Sequence, residues 1–355
     1  MKSKSKKAGI GTAHTSILGS GKELDLEKPA GMAVTARTGI DVCGGGTRAY
    51  SNLINPDSPE PKRTGLRYNL SPWVLGKLER LARARFDVSE FTSEDLSVWK
   101  QEKGINWMIA QSVNASSEIE GESVHADKLV LLETPESEHE GGEADEELRG
   151  RIAAIRSIYE AYMWALSLKP LRVLTYEFLL ELHKRMFEST KGETAGRIKT
   201  GHIFIEGAGY HVETLPPEKT EVFLRRITER YAEKWKLARK HAEYSTFLLT
   251  AEYILDFLAI HPFADGNGRT ARLLSTYLLE KSGYHFARFY PVDNVVVETR
   301  RKYYEALYSG QVNWLSERED LTAWIEYYTS TAFTQWIRAY ERVKDDHLAK
   351  KRMRS

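Results

Sequence analysis

Apolar positions recur at helical spacing through most of the chain beyond residue 66, with one glycine-punctuated exception. Val74, Leu75, Leu78 and Leu81 predict a helix from Pro72 to Ala84 with those four side chains on its inner side. A second helix is expected over roughly Glu94 to Glu102 with Ser93 as its N-cap, and a third from Ile105 to about Ile119. Arg151 to Leu166 and Tyr176 to Phe187 are amphipathic, the latter with a core stripe of Leu179, Leu182 and Met186. Pro216 and Pro217 lead into a long helix from Glu218 to about Ala242. Phe247 through Ile260 is apolar around nearly its whole circumference, which predicts a helix buried on all sides. Gly266 and Gly268 break that run, and a helical pattern resumes from Arg269 to Lys281. From Thr194 to Glu213, Ile198, Ile203, Phe204, Ile205 and Val212 alternate with glycines, which predicts a hairpin of short strands. The expected fold class is all-α with a small β-hairpin flap.

The first 65 residues, broken by glycines and prolines, read as a flexible leader, with order starting near Tyr68. Residues 66–168 are expected to form an N-terminal helical segment containing an acidic solvated loop at 133–147. Residues 169–330 are expected to form the main domain, followed at 331–355 by a helix and a disordered basic tail ending in Lys350, Lys351, Arg352 and Arg354. A net charge of +1 over 355 residues argues against a nucleic-acid or anionic-membrane partner. The one cysteine, Cys43, excludes an intrachain disulfide. No apolar run reaches the length of a membrane span, because the most apolar helix carries Glu252 and Asp256. The expectation is a cytoplasmic protein.

The chemistry concentrates in His261 to Arg272, H-P-F-A-D-G-N-G-R-T-A-R. A glycine loop opening a helix offers outward backbone N–H groups and a positive dipole end, a cradle for phosphate. Arg269 and Arg272, three apart, are expected to share a face and fork onto phosphate oxygens. Asp265 suits magnesium, which in nucleotide sites takes one carboxylate plus phosphate oxygens. His261 can accept a hydroxyl proton near neutral pH, and Asn267 can donate to phosphate or cap the second helix. The loop lacks the G-K-[ST] ending of a Walker A motif.

In every specified position this stretch resembles the Fic (Fido) signature H-x-F-x-[DE]-G-N-G-R-x-x-R. The resemblance implies a helical fold that transfers AMP from ATP, with Mg2+, to a hydroxyl of a target protein. His261 would be the base and Asp265 the metal ligand. Gly266, Asn267, Gly268, Arg269, Thr270 and Arg272 would line the phosphate site. Ser116, Glu120 and Gly121, in S-S-E-I-E-G, resemble the family's inhibitory-helix motif, with Glu120 expected to pair with Arg272. Gly196 to Ile205 loosely resembles the family's flap, with Ile198, Lys199 and Ile203 replacing its usual residues; Ile203, Phe204, Ile205 and Glu206 are its candidate nucleotide contacts. Thr299 to Tyr308 resembles the helix that borders adenine, with Tyr303, Tyr304 and Gln311 as candidates. Such a flap could take up a target segment as an added strand. The chain itself is a further candidate target, and a homodimer a further expectation. The alternatives are a de-AMPylase in which Glu120 orients water and a non-catalytic nucleotide-binding regulator.

Overall fold

The computed structural model describes residues 67–84, 102–119, 146–168, 170–207, 210–241, 244–314 and 319–354. The leader, the helix expected near 94–102, the acidic stretch up to residue 145, and Glu120 and Gly121 lie outside them. The helices in chain order are α1 (Pro72–Ala84), α2 (Glu102–Ile119), α3 (Glu146–Ser167), α4 (Tyr176–Lys191), α5 (Pro217–His241), α6 (Thr246–Ile260), α7 (Asn267–Lys281), α8 (Phe286–Phe289), α9 (Val292–Glu298), α10 (Arg300–Gln311) and α11 (Thr322–Arg354). Between α4 and α5 lies an antiparallel hairpin, β1 (Phe204–Gly207) and β2 (Tyr210–Glu213), paired from Phe204↔Glu213 to Gly207↔Tyr210. The fold is all-α with a small flap, as expected.

Helix α6 is the axis of this packing. Ser245 caps its start by accepting from the Leu248 N–H, and every residue from Thr246 to Ile260 is buried. Helices α5, α7, α10 and α11 surround it, so it has no solvent face. On α10, Gly310 lets Leu255 come so close that a Cβ there would lie 2.7 Å from the leucine Cδ2.

Complete burial creates a problem, because α6 carries Glu252 and Asp256. Arg67 answers it from upstream of α1. Its two terminal nitrogens donate to the two oxygens of Asp256 at 2.7 and 3.1 Å, and its Nε to Glu319 at 3.0 Å. Tyr68 donates its hydroxyl to Glu252 at 3.0 Å, and the Trp314 indole donates to Asp256 at 2.8 Å. Burial still pushes the Glu252 carboxyl above its usual range, against the pull of Arg67. The Leu321 N–H donates to the Arg67 carbonyl, so the same residue also seats the start of α11. Order near Tyr68 was expected; the reason for it, an arginine inside the core, was not.

Three elements differ from expectation. Leu75 on α1 is exposed, while Lys77 is buried with its ammonium 3.8 Å from the Trp73 ring centroid. Helix α11 continues to Arg354 where a disordered tail was expected; basic residues in the last turns of a helix complement its dipole, so a cationic end does not imply an unfolded one. The stretch 195–203 is irregular, and strand pairing begins only at Phe204. Among the described residues no helix is long and apolar enough to cross a membrane.

Replacing Arg67 with leucine would leave buried carboxylates without their cation. Removing one partner of a buried ion pair costs about 3–5 kcal/mol, so Arg67→Leu should lower the unfolding free energy by that order. Equilibrium denaturant unfolding, with an unchanged m-value, checks it.

Candidate active site

His261 ends α6 as its C-cap, in the left-handed region at φ 53° and ψ 63°. It is the one non-glycine residue with positive φ among the described residues. A side chain there is uncommon, and the following Pro262 further narrows what residue 261 can adopt. The surroundings hold it: the His261 N–H donates to Phe257 O at 2.9 Å, and Nδ1 lies 3.4 Å from Leu258 O. With Nδ1 donating to that carbonyl, Nε2 keeps its lone pair as a proton acceptor. Burial, then the charge of Lys199, pushes the ring's pKa down to about 4.

Beyond Pro262 the chain turns through a loop closed by its own side chains. Asn267 accepts from the Phe263 N–H at 2.9 Å and donates to the Phe263 carbonyl at 2.7 Å. Its amide thus clasps the loop and does not cap the helix, whose N-cap is Gly266. Thr270 also turns inward, donating to Gly266 O at 2.8 Å. Gly266 is the N-cap of α7 at φ 76°, and a Cβ there would sit 2.5 Å from the Phe187 ring. Only glycine fits that approach. The first turn of α7, where N–H groups have no intrahelical acceptor, therefore opens on the loop.

The two arginines diverge, although both are buried. Arg269 lies over the Phe187 ring, 4.7 Å from its centroid, with a terminal nitrogen 3.7 Å from Asp265. Arg272 points the other way, between α2 and α9. Its Nε donates to Ser116 Oγ at 2.9 Å and to Asp293 at 3.0 Å, and a terminal nitrogen donates to Ser116 O at 3.0 Å. Asp293, fully buried, also accepts from Ser112 and Tyr162. Arg300 donates to Ile119 O. The last turn of α2 is thus held by two guanidiniums, one of them in the signature.

Asp265 is half-exposed, with one oxygen accepting from the Gly266 N–H at 2.6 Å and the other 2.6 Å from the Lys191 ammonium. Those partners hold its carboxyl below the usual range despite partial burial. Beside it, Arg151, Phe187, Lys191 and Arg269 line a cleft of about 330 Å³ between α3 and α4. Among the described residues no three His, Cys, Asp or Glu side chains gather as a metal cage. A lone carboxylate already drawing a cation suits magnesium, which keeps most of its shell for phosphate and water.

The flap leans on α10 through β2. Phe204 is half-exposed and stacks on His211, with ring centroids 5.3 Å apart; Ile203 and Ile205 are half-buried, and Glu206 pairs its backbone with His211. On α10, Tyr303 faces the core against Trp324 and Tyr327 and offers no ring to a base. Tyr304, its edge-on neighbour at 5.2 Å, is half-buried. The buried Gln311 Nε2 has no hydrogen-bond partner among the described residues.

Sequence reading gave no role to three side chains that build this site, one of them noted only as a departure from the flap pattern. Lys199, buried at the base of the flap, donates to Thr214 Oγ1 and to Ile260 O, and burial pushes its pKa down to about 8. Asp293 gives Arg272 its counter-charge. His183 stacks on Phe263 at 3.7 Å beneath the loop; it follows Leu182 and lies one turn from Leu179 in the α4 stripe, the one signal that marked it.

A glycine loop opening a buried helix, with a histidine at its rim, is thus mounted on a helical fold. Residues 173–279 match the model of the Fic/DOC family, and that stretch is a Fic/DOC domain. Protein adenylyltransferase Fic of Aedes aegypti is 26% identical over 234 residues, 65% of this chain and 42% of that protein. Protein adenylyltransferase fic-1 of Caenorhabditis elegans is 26% identical over 175 residues, 49% of this chain and 31% of that one. The chain therefore spans less than half the length of these curated relatives. The fold is similar to a Fic family protein from Desulfovibrio desulfuricans, with a TM-score of 0.60 at 18% identity over 80% of this chain and 78% of that one. It is also similar to Caenorhabditis elegans Fic-1, with a TM-score of 0.55 at 21% identity over 77% and 74%.

Burial lowers His183 and His261 from 6.5 to about 4. A depressed folded-state pKa gives stability that is present above the unfolded value and is lost as pH falls toward the folded one. The denaturation midpoint should therefore drop between pH about 6.5 and about 4, measured by urea titration across that range. His261→Gln should flatten part of the drop; an equally steep curve for the variant would place the proton uptake elsewhere.

Proposed function

We propose that this protein transfers AMP from ATP to a Ser, Thr or Tyr hydroxyl of a target protein, and that α2 restrains the reaction. The observation that carries the reading is His261: a neutral ring, locked by an αL cap at the end of a buried helix, beside Asp265 and the N-terminus of α7. In this mechanism the hydroxyl gives its proton to His261 Nε2 as its oxygen attacks the α-phosphorus. The bond from that phosphorus to the bridging oxygen breaks, and pyrophosphate leaves with the electron pair. The loop amides and Arg269 stabilise charge on the phosphates, and the Lys191–Arg269 cleft suits their distal end. Asp265 would hold magnesium, which when bound supplies further neutralisation of phosphate charge. The flap edge would present the target segment by strand addition.

Restraint by α2 is supported by the bonds that Arg272 donates to Ser116. While Ser116 holds that guanidinium, it is unavailable to the terminal phosphates. Glu120, four residues on, would add a carboxylate to the same neighbourhood and repel the triphosphate. The competent fraction would be small, and activity falls with that fraction.

Incubation with ATP labelled on the α-phosphate tests the reading: label should appear covalently on protein, whereas a regulator would bind nucleotide and leave none. His261→Ala should abolish labelling while calorimetric ATP affinity stays within about threefold, because the ring acts on the incoming hydroxyl.

Glu120→Gly should raise labelling by about tenfold or more, a change that needs only about 1.4 kcal/mol. Equal rates for variant and parent across a range of ATP concentrations would remove Glu120 from the mechanism.

A further inference from the structure

Two connections fasten the segment between α4 and β1 to the signature loop. One is Lys199, whose N–H donates to Pro262 O at 2.9 Å and whose ammonium donates to Ile260 O at 3.0 Å. The other is His183. The Gly196 N–H donates to His183 Nδ1 at 2.9 Å, and His183 Nε2 lies 3.0 Å from Asp265 O. A nitrogen that accepts from an amide must carry a lone pair, so the proton sits on Nε2 and is donated to the Asp265 carbonyl. One flat ring thus accepts on one side and donates on the other. Phe263, stacked at 3.7 Å and 17°, and Phe187 at 4.7 Å fix its plane. Gly196 allows the approach: at φ 75° a Cβ would meet Leu180 O and Lys184 Cβ, each at 2.8 Å.

We propose that His183 is a positioning residue that ties the root of the flap, at Gly196, to the phosphate loop, at Asp265. This rests on the adenylyl-transfer reading. The flap would present the hydroxyl, the loop would hold the α-phosphate, and in-line attack needs one fixed spacing between them. His183 is the only described side chain whose ring is hydrogen-bonded to both segments at once. It touches neither ATP nor target in this scheme, so it acts through geometry alone.

The test uses the full chain with His183→Leu, which makes neither bond, and with His183→Asn and His183→Gln. Asparagine can place an acceptor toward Gly196, and glutamine a donor toward Asp265. Hydrogen exchange read by mass spectrometry should quicken about tenfold at 194–200 and 262–268 in the leucine variant, the signature of local opening. Asparagine should protect only the first segment, and glutamine only the second. With α-labelled ATP, His183→Leu should lower kcat by about tenfold to a hundredfold, the usual cost of misplacing a reacting group by about 1 Å. ATP affinity should stay within about threefold, since the ring contacts no phosphate.

Nitrogen-15 spectra of the histidine-labelled parent should show His183 protonated at Nε2. A ring protonated at Nδ1 instead, or a folded leucine variant that exchanges and transfers like the parent, would overturn the proposal. If the leucine variant does not fold, the segment-specific exchange of the asparagine and glutamine variants decides, and identical patterns in the two count against it. Should the parent transfer no AMP, the functional reading fails, while the exchange and nitrogen spectra still judge the tie.

Discussion

A helix buried on every side must settle all its polarity internally and turn abruptly where it ends. Helix α6 faces both demands. Its two carboxylates are met by Arg67, Tyr68 and Trp314, and its last residue gives way to His261 in a left-handed conformation with proline next. Because α6 cannot shift without disturbing the helices around it, the histidine is carried at the end of a fully packed helix. Strain at that residue is tolerable because so much packing over-determines it.

The loop that follows is built by the same logic. Its side chains mostly hold its shape: Asn267 clasps Phe263 and Thr270 returns to Gly266, where the lack of a Cβ leaves room for the Phe187 ring. Asp265 is the exception, half-exposed and turned toward Lys191 and Arg269. The guanidiniums divide the molecule between them. Arg269 serves the cleft by α4, while Arg272 is bound into a polar knot with α2 and α9. Arg272 therefore joins α2 directly to α7, the helix that begins at the signature loop.

Much of this was legible because it is local. The apolar circumference of 247–260 announced a buried helix, and Gly266 and Gly268 marked the loop after it. The type of each signature residue was readable; its direction was not. Asn267 and Thr270 turn inward because the loop's own carbonyls are their nearest partners, and Tyr303 turns to the core because α11 brings Trp324 and Tyr327 beside it. Residues whose meaning depends on distant partners stayed silent. His183, Lys199 and Asp293 look ordinary until the chain brings Asp265, Ile260 and Arg272 to them.

The charge cluster around Arg67 has a temporal side as well. Its members are 252 positions apart between Arg67 and Glu319, and the Arg67 carbonyl is met by the N–H of Leu321. Contacts of such separation carry a large chain-closure cost and form late. During synthesis, α6 emerges with Arg67 already made but without the carboxylate and backbone that later brace that arginine. A chain halted before residue 319 contains the whole signature and still lacks one side of the clamp on the helix that presents it.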